Sequence, residues 1–136
     1  MKQTHVTIAL LLCLLFSDDS LEKSPEIIGP DRIQTKAHLG RRLVLDCKAK
    51  PNCEMNLTTI YWLVNGSFPE ALSTSRISEM EESISSDGTV QRNLMLKNVM
   101  TEDLSSTYVC VVMNTEGVAK KLVTLRKTLG KISIVK

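Results

Sequence analysis

The sequence predicts an all-β domain, with two sheets packed as a Greek-key sandwich. Three observations predict it. From Asp31 onward the chain runs in short stretches rich in β-branched and apolar residues, without a sustained helical period. Turn chemistry separates these stretches at Leu39-Gly40, Asn65-Gly66, Asp87-Gly88 and Asn114-Thr-Glu-Gly117. Two cysteines, Cys47 and Cys110, stand 63 positions apart in two of the alternating runs, which suits a staple between opposite sheets.

The elements follow in order. Strands are expected at Arg32–Ala37, Arg42–Lys48, Thr59–Val64, Val90–Asn98, Thr107–Met113 and Val118–Arg126. Asn114–Gly117 joins two apolar runs through four residues ending in Gly, which reads as a hairpin. Glu79–Ser86 (EMEESISS) is polar and acidic, and reads as a loop or a weak edge strand with Glu79, Glu81 and Glu82 solvated. Residues before Asp31 and after Lys127 read as frayed ends.

Within this frame Trp62 lies 15 residues after Cys47, and Tyr108 lies two before Cys110. That is the Cys…Trp…Tyr-x-Cys arrangement of immunoglobulin domains, and the fold expected is an immunoglobulin-like β-sandwich. Both cysteines then point inward, the indole packs on their disulfide, and the Tyr108 hydroxyl ties the preceding corner to backbone. Asp103 stands five residues before Tyr108 where four is usual, which implies one extra residue in that corner.

The division expected is 1–17 signal peptide, 18–30 N-terminal extension, 31–127 immunoglobulin-like domain and 128–136 C-terminal tail. Val6–Phe16 is apolar except for Thr7, follows Lys2 and stops at Ser17-Asp-Asp-Ser20. Eleven residues are too few to span a bilayer and suit a secretory signal, cleaved after Ser17 or Ser20. No second run of spanning length follows, so the mature chain is expected to be secreted, with no membrane span. Of 17 basic and 15 acidic residues, the signal removes only Lys2, so the mature charge is near +1. That balance does not suit a nucleic-acid partner, which needs a concentrated phosphate-neutralising patch. Basic residues gather late, at Lys120, Lys121, Arg126, Lys127, Lys131 and Lys136. They read as a solvated strand face, or as a weak site for glycosaminoglycans. Catalysis is not expected: mature His38 is alone and no phosphate loop occurs. Neither a metal site nor a cofactor is expected.

Three cysteines remain in the mature chain, an odd number for a secreted protein. Cys47 and Cys110 pair, leaving Cys53 in a polar loop, either free, capped, or bonded to a second copy. Two sequons, Asn56-Leu-Thr58 and Asn65-Gly-Ser67, mark Asn56 and Asn65 for glycosylation. If Trp62 points inward, strand alternation turns Tyr61 and Leu63 outward, and likewise Val109, Val111 and Met113. A solvent-facing sheet should carry polar residues there, so this apolar face reads as a protein-binding surface or a self-association surface. Phe68 follows the Asn65-Gly66 turn and is expected to open the next strand of that sheet, close to Tyr61.

The segment Tyr61–Leu72 (YWLVNGSFPEAL) resembles the interleukin-18 binding proteins, and Tyr108–Lys121 (YVCVVMNTEGVAKK) is similar to their compact poxviral members. The resemblance implies a secreted decoy that binds interleukin-18, masks it from its receptor and dampens interferon-gamma-driven inflammation. An adhesion module, or a decoy for another cytokine, is the alternative. It also implies ligand contacts at Tyr61, Phe68 and Glu70, with Leu57 standing where the family has a third aromatic. In the family, a cysteine just after the first immunoglobulin Cys usually pairs near the N-terminus. Here no cysteine lies between Ser17 and Asp46, which leaves Cys53 for a homodimer bond.

Overall fold

The computed structural model describes residues 24–50 and 58–128. The chain is an all-β, immunoglobulin-like sandwich. One layer contains β2 (Arg32–Ala37), β5 (Thr59–Val64), β10 (Tyr108–Met113) and β11 (Val118–Lys127), in the order β2-β11-β10-β5. Its strands pair antiparallel except β2 with β11. After β5 the chain crosses to the other layer and returns to β5 only with β10, so neighbours in the sheet are distant in sequence.

The second layer is interrupted halfway along. Its one half pairs β1 (Glu26–Ile27), β4 (Lys48–Lys50), β8 (Val90–Gln91) and β7 (Ser83–Ile84) in that order. Its other half pairs β3 (Leu43–Leu45), β9 (Leu94–Leu96) and β6 (Ile77–Glu79). The single strands expected over Arg42–Lys48 and Val90–Asn98 are therefore each broken, at Asp46-Cys47 and at Arg92-Asn93. Hydrogen bonds from Arg92 N to Cys47 O (3.0 Å) and from Met80 N to Asn93 O (2.8 Å) carry the layer across the gap. Glu26 and Ile27, expected as frayed chain, pair with Lys50 and Ala49. Ile27 packs against the core, and that burial is what holds the segment.

The core fills from both inner faces. Ile60, Trp62 and Val64 of β5 meet Leu45, Ala49, Val90, Leu94 and Leu96, as the two-residue period requires. Cys47 and Cys110 form a disulfide between the layers, with Cα atoms 6.4 Å apart, and Trp62 is the register neighbour of Cys110. The corner before β10 is a 3-10 helix, Thr101–Ser105, which absorbs the extra residue. Tyr108 Oη donates to Asp103 O at 2.9 Å. Burial pushes the Tyr108 phenol up to about 12, helped by the Asp103 charge. The Asp103 carboxylate, almost wholly buried, accepts from Met100 N (2.7 Å) and from two nitrogens of Arg76 (2.7 and 3.1 Å). The hydrogen bonding to Asp103 raises the Arg76 pKa, against the opposing effect of burial.

Candidate functional site

The outward face of the continuous layer begins at its β5 edge. Tyr61 lies beside Val111 and Leu63 beside Val109, with Met113 beside Thr59. Tyr61, Leu63, Val109 and Met113 are half-buried. Val111, expected to be open, is only 3% exposed. It occupies a central strand between Tyr61 and Lys120, whose long side chains can close over it. Lys121 departs further from expectation. Its register partner is the inward Cys110, so it points into the sandwich, is buried, and donates from Nζ to Asp46 O at 3.3 Å.

The sheet stops at β5, and a tight turn is the reason. Asn65 (φ 52°) and Gly66 (φ 84°) both adopt left-handed backbone, as a two-residue hairpin turn of type I′ needs. Val64 and Ser67 exchange hydrogen bonds at 2.8 and 3.0 Å, and there the pairing ends. Asn65 is braced from β10's approach: Oδ1 accepts from Thr107 N at 2.9 Å and Nδ2 donates to Ser106 Oγ at 3.1 Å. Phe68 therefore does not open a further strand. It caps a short 3-10 helix, Pro69–Ala71, because Pro69 supplies no N–H for a ladder and favours a first helical position.

This geometry sets Phe68 against Tyr61, with ring centroids 5.6 Å apart and planes tilted by 49°. A tilted contact at that distance suits two aromatic quadrupoles. Phe68 is 49% exposed, so the pair presents a ring to solvent. Glu70 follows on the 3-10 helix, exposed. It edges an open concavity of about 550 Å³ whose lining includes Leu72, Thr74, Ile77, Glu79 and Arg92.

Sequence reasoning missed Glu79 and Arg92. Glu79 is no solvated loop residue: it closes β6, and its Oε2 accepts from Trp62 N at 2.6 Å and lies 3.7 Å from Arg92 Nε. Arg92 donates to Met80 O (2.8 Å) and Ile60 O (3.4 Å), while its own carbonyl accepts from Trp62 Nε1 (2.9 Å). The backbone on either side of Tyr61 is thus held by two side chains from the other layer. This also fills part of an edge that could otherwise pair with a foreign strand. Glu81 and Glu82 remain exposed.

Leu57, Cys53 and Asn56 lie outside the described residues, as do the signal segment and the tail from 129 on. Among the described residues, no three His, Cys, Asp or Glu side chains are grouped to hold a metal ion. Nor is any helix there long and apolar enough to cross a membrane.

No family model matches the chain. It is similar to the human interleukin-18 receptor accessory protein, with 28% identity over 109 residues. The match covers 79% of this chain and 18% of that protein, so the chain spans under a fifth of its relative's length. Fold and comparison together give an immunoglobulin-like domain that is similar in sequence to part of an interleukin-18 receptor component.

Proposed function

We propose that this chain is a secreted decoy that binds interleukin-18 through the outward β5 face and blocks engagement of its receptor. The observation that carries the reading is the Tyr61–Phe68 pair, an aromatic contact left half open at the edge of an apolar sheet face. Exposed aromatic residues beside apolar neighbours are the usual anchors of protein interfaces. Glu70 stands next to the pair, where it can meet a basic group on the ligand. Leu57, two positions before β5 in sequence, is proposed as a further apolar contact. The likeness to an interleukin-18 receptor component supports this ligand, and binding without catalysis. The apolar segment at the N-terminus supports secretion, and the sequons at Asn56 and Asn65 suit an extracellular glycoprotein.

The test is surface plasmon resonance of the secreted protein against human interleukin-18. Tyr61→Ala and Phe68→Ala should each weaken binding about 30-fold, the equivalent of ~2 kcal/mol at an anchor. No binding by the parent overturns the decoy reading; full binding by both variants overturns only this site. The apolar face favours self-association as a second reading, which a stable dimer indifferent to interleukin-18 would establish. Cys53 is proposed to join two copies, so a dimer band on a non-reducing gel should collapse to monomer on reduction.

A further inference from the structure

The other half of the same outward face has a different character. On β11, Lys120, Leu122, Thr124 and Arg126 point outward; on β2, Arg32, Gln34 and Lys36 lie beside Leu122, Thr124 and Arg126 in register. Lys120, Arg32, Lys36 and Arg126 are all exposed. Among the described residues, the ion pairs involve only Arg76 and Arg92 among the cations, so none of these four pairs with a described carboxylate. Strands β2 and β11 contain no carboxylate. The register sets Arg126 directly beside Lys36, about 4.8 Å away across the ladder. Like charges in that position destabilise a sheet. Same-face residues repeat about every 6.7 Å, so the four cations form a stripe about 20 Å long and two strands wide.

We infer that this stripe is a docking surface for a sulfated, linear polysaccharide. A row of unpaired cations with polar Gln34 and Thr124 between them fits an extended polyanion, along which charge also repeats. The stripe excludes Lys121, which is turned inward, and recruits Arg32 and Lys36, each 90 positions before its register partner on β11. It is independent of the ligand proposed for Tyr61. Its cations lie on β2 and β11, whereas Tyr61 lies on β5 beyond β10, and the two surfaces adjoin where Lys120 flanks Val111.

Heparin affinity chromatography of the full secreted chain tests this. The parent is expected to stay bound at about 0.15 M NaCl, where exposed charges are already partly screened. The Lys36→Gln/Arg126→Gln double variant should flow through at that salt, while Tyr61→Ala elutes with the parent. Lys131→Gln/Lys136→Gln should also elute near the parent. Flow-through of the parent, or co-elution of parent and stripe variant, overturns the proposal. So does complete loss of retention on neutralising the two tail lysines alone. Equal retention on chemically desulfated heparin overturns the assignment to sulfate. A circular-dichroism melt of the stripe variant, expected to match or exceed the parent, separates lost contact from lost fold.

Discussion

The two layers of the sandwich are made differently. The β2-β11-β10-β5 layer is continuous, with six register pairs at each of its three ladders. The opposing layer breaks at mid-length, and the bonds between layers concentrate at the break. Cys47 reaches Cys110 there, Arg92 takes the indole N–H and Ile60 O, and Glu79 takes Trp62 N. Cys47 and Arg92 lie outside any ladder and turn to the facing sheet from the break, whereas Glu79 reaches Trp62 from within β6, where it pairs with Leu94. The continuous layer displays the outward surface; the interrupted one fixes it from behind.

Severing the staple should produce the largest effect on this division of labour. Cys47→Ala/Cys110→Ala should lower unfolding free energy by about 4 kcal/mol in the loop-entropy model, read from denaturant midpoints. Arg76→Ala comes next, at about 3 kcal/mol, because it strands the Asp103 carboxylate in the interior. Glu79→Ala should cost about 2 kcal/mol by leaving Trp62 N without its acceptor, and should speed hydrogen exchange at that amide. Unchanged exchange there would show that the interrupted layer does not restrain β5. Phe68→Ala should cost about 1 kcal/mol or less, since half of the ring is already solvated.

Alkali probes the same join by titration. The Tyr108 phenol ionises at about 12 in the fold against an ordinary value of 10.0. The folded form holds its proton longer than the unfolded chain, so this contribution to stability is whole below pH 10.0 and is lost as pH rises through about 12. Melting temperature should fall across that window, and Tyr108→Phe should flatten the fall.

Local pattern explains what was legible beforehand. Arg32–Ala37 and Thr59–Val64 have the bounds expected of them, because alternation and turn residues mark both ends. The Cys47, Trp62, Tyr108 and Cys110 spacing was enough for the sandwich and its staple. Lys121 was misplaced because charge argued for solvent, whereas the period of its strand turned it inward to a carbonyl on another strand. Val111 failed similarly: its outward direction was right, but cover comes from neighbouring strands. Arg76, Glu79 and Arg92 were invisible for a related reason. Their partners are 12 to 32 residues away, and no spacing rule pairs a side chain with so distant a backbone group or carboxylate. Phe68 was placed beside Tyr61 correctly, but Pro69 turned the expected strand into a 3-10 helix.

The turn at Asn65-Gly66 has a consequence for how the aromatic pair could travel. Tyr61 and Phe68 are seven positions apart and meet through one two-residue turn, whereas the disulfide closes a span of 63. Contacts that close over so short a loop form early and require little of the surrounding chain. The pair is therefore a compact module, suited to transplantation onto another sandwich's hairpin or into a cyclised peptide covering Tyr61–Phe68.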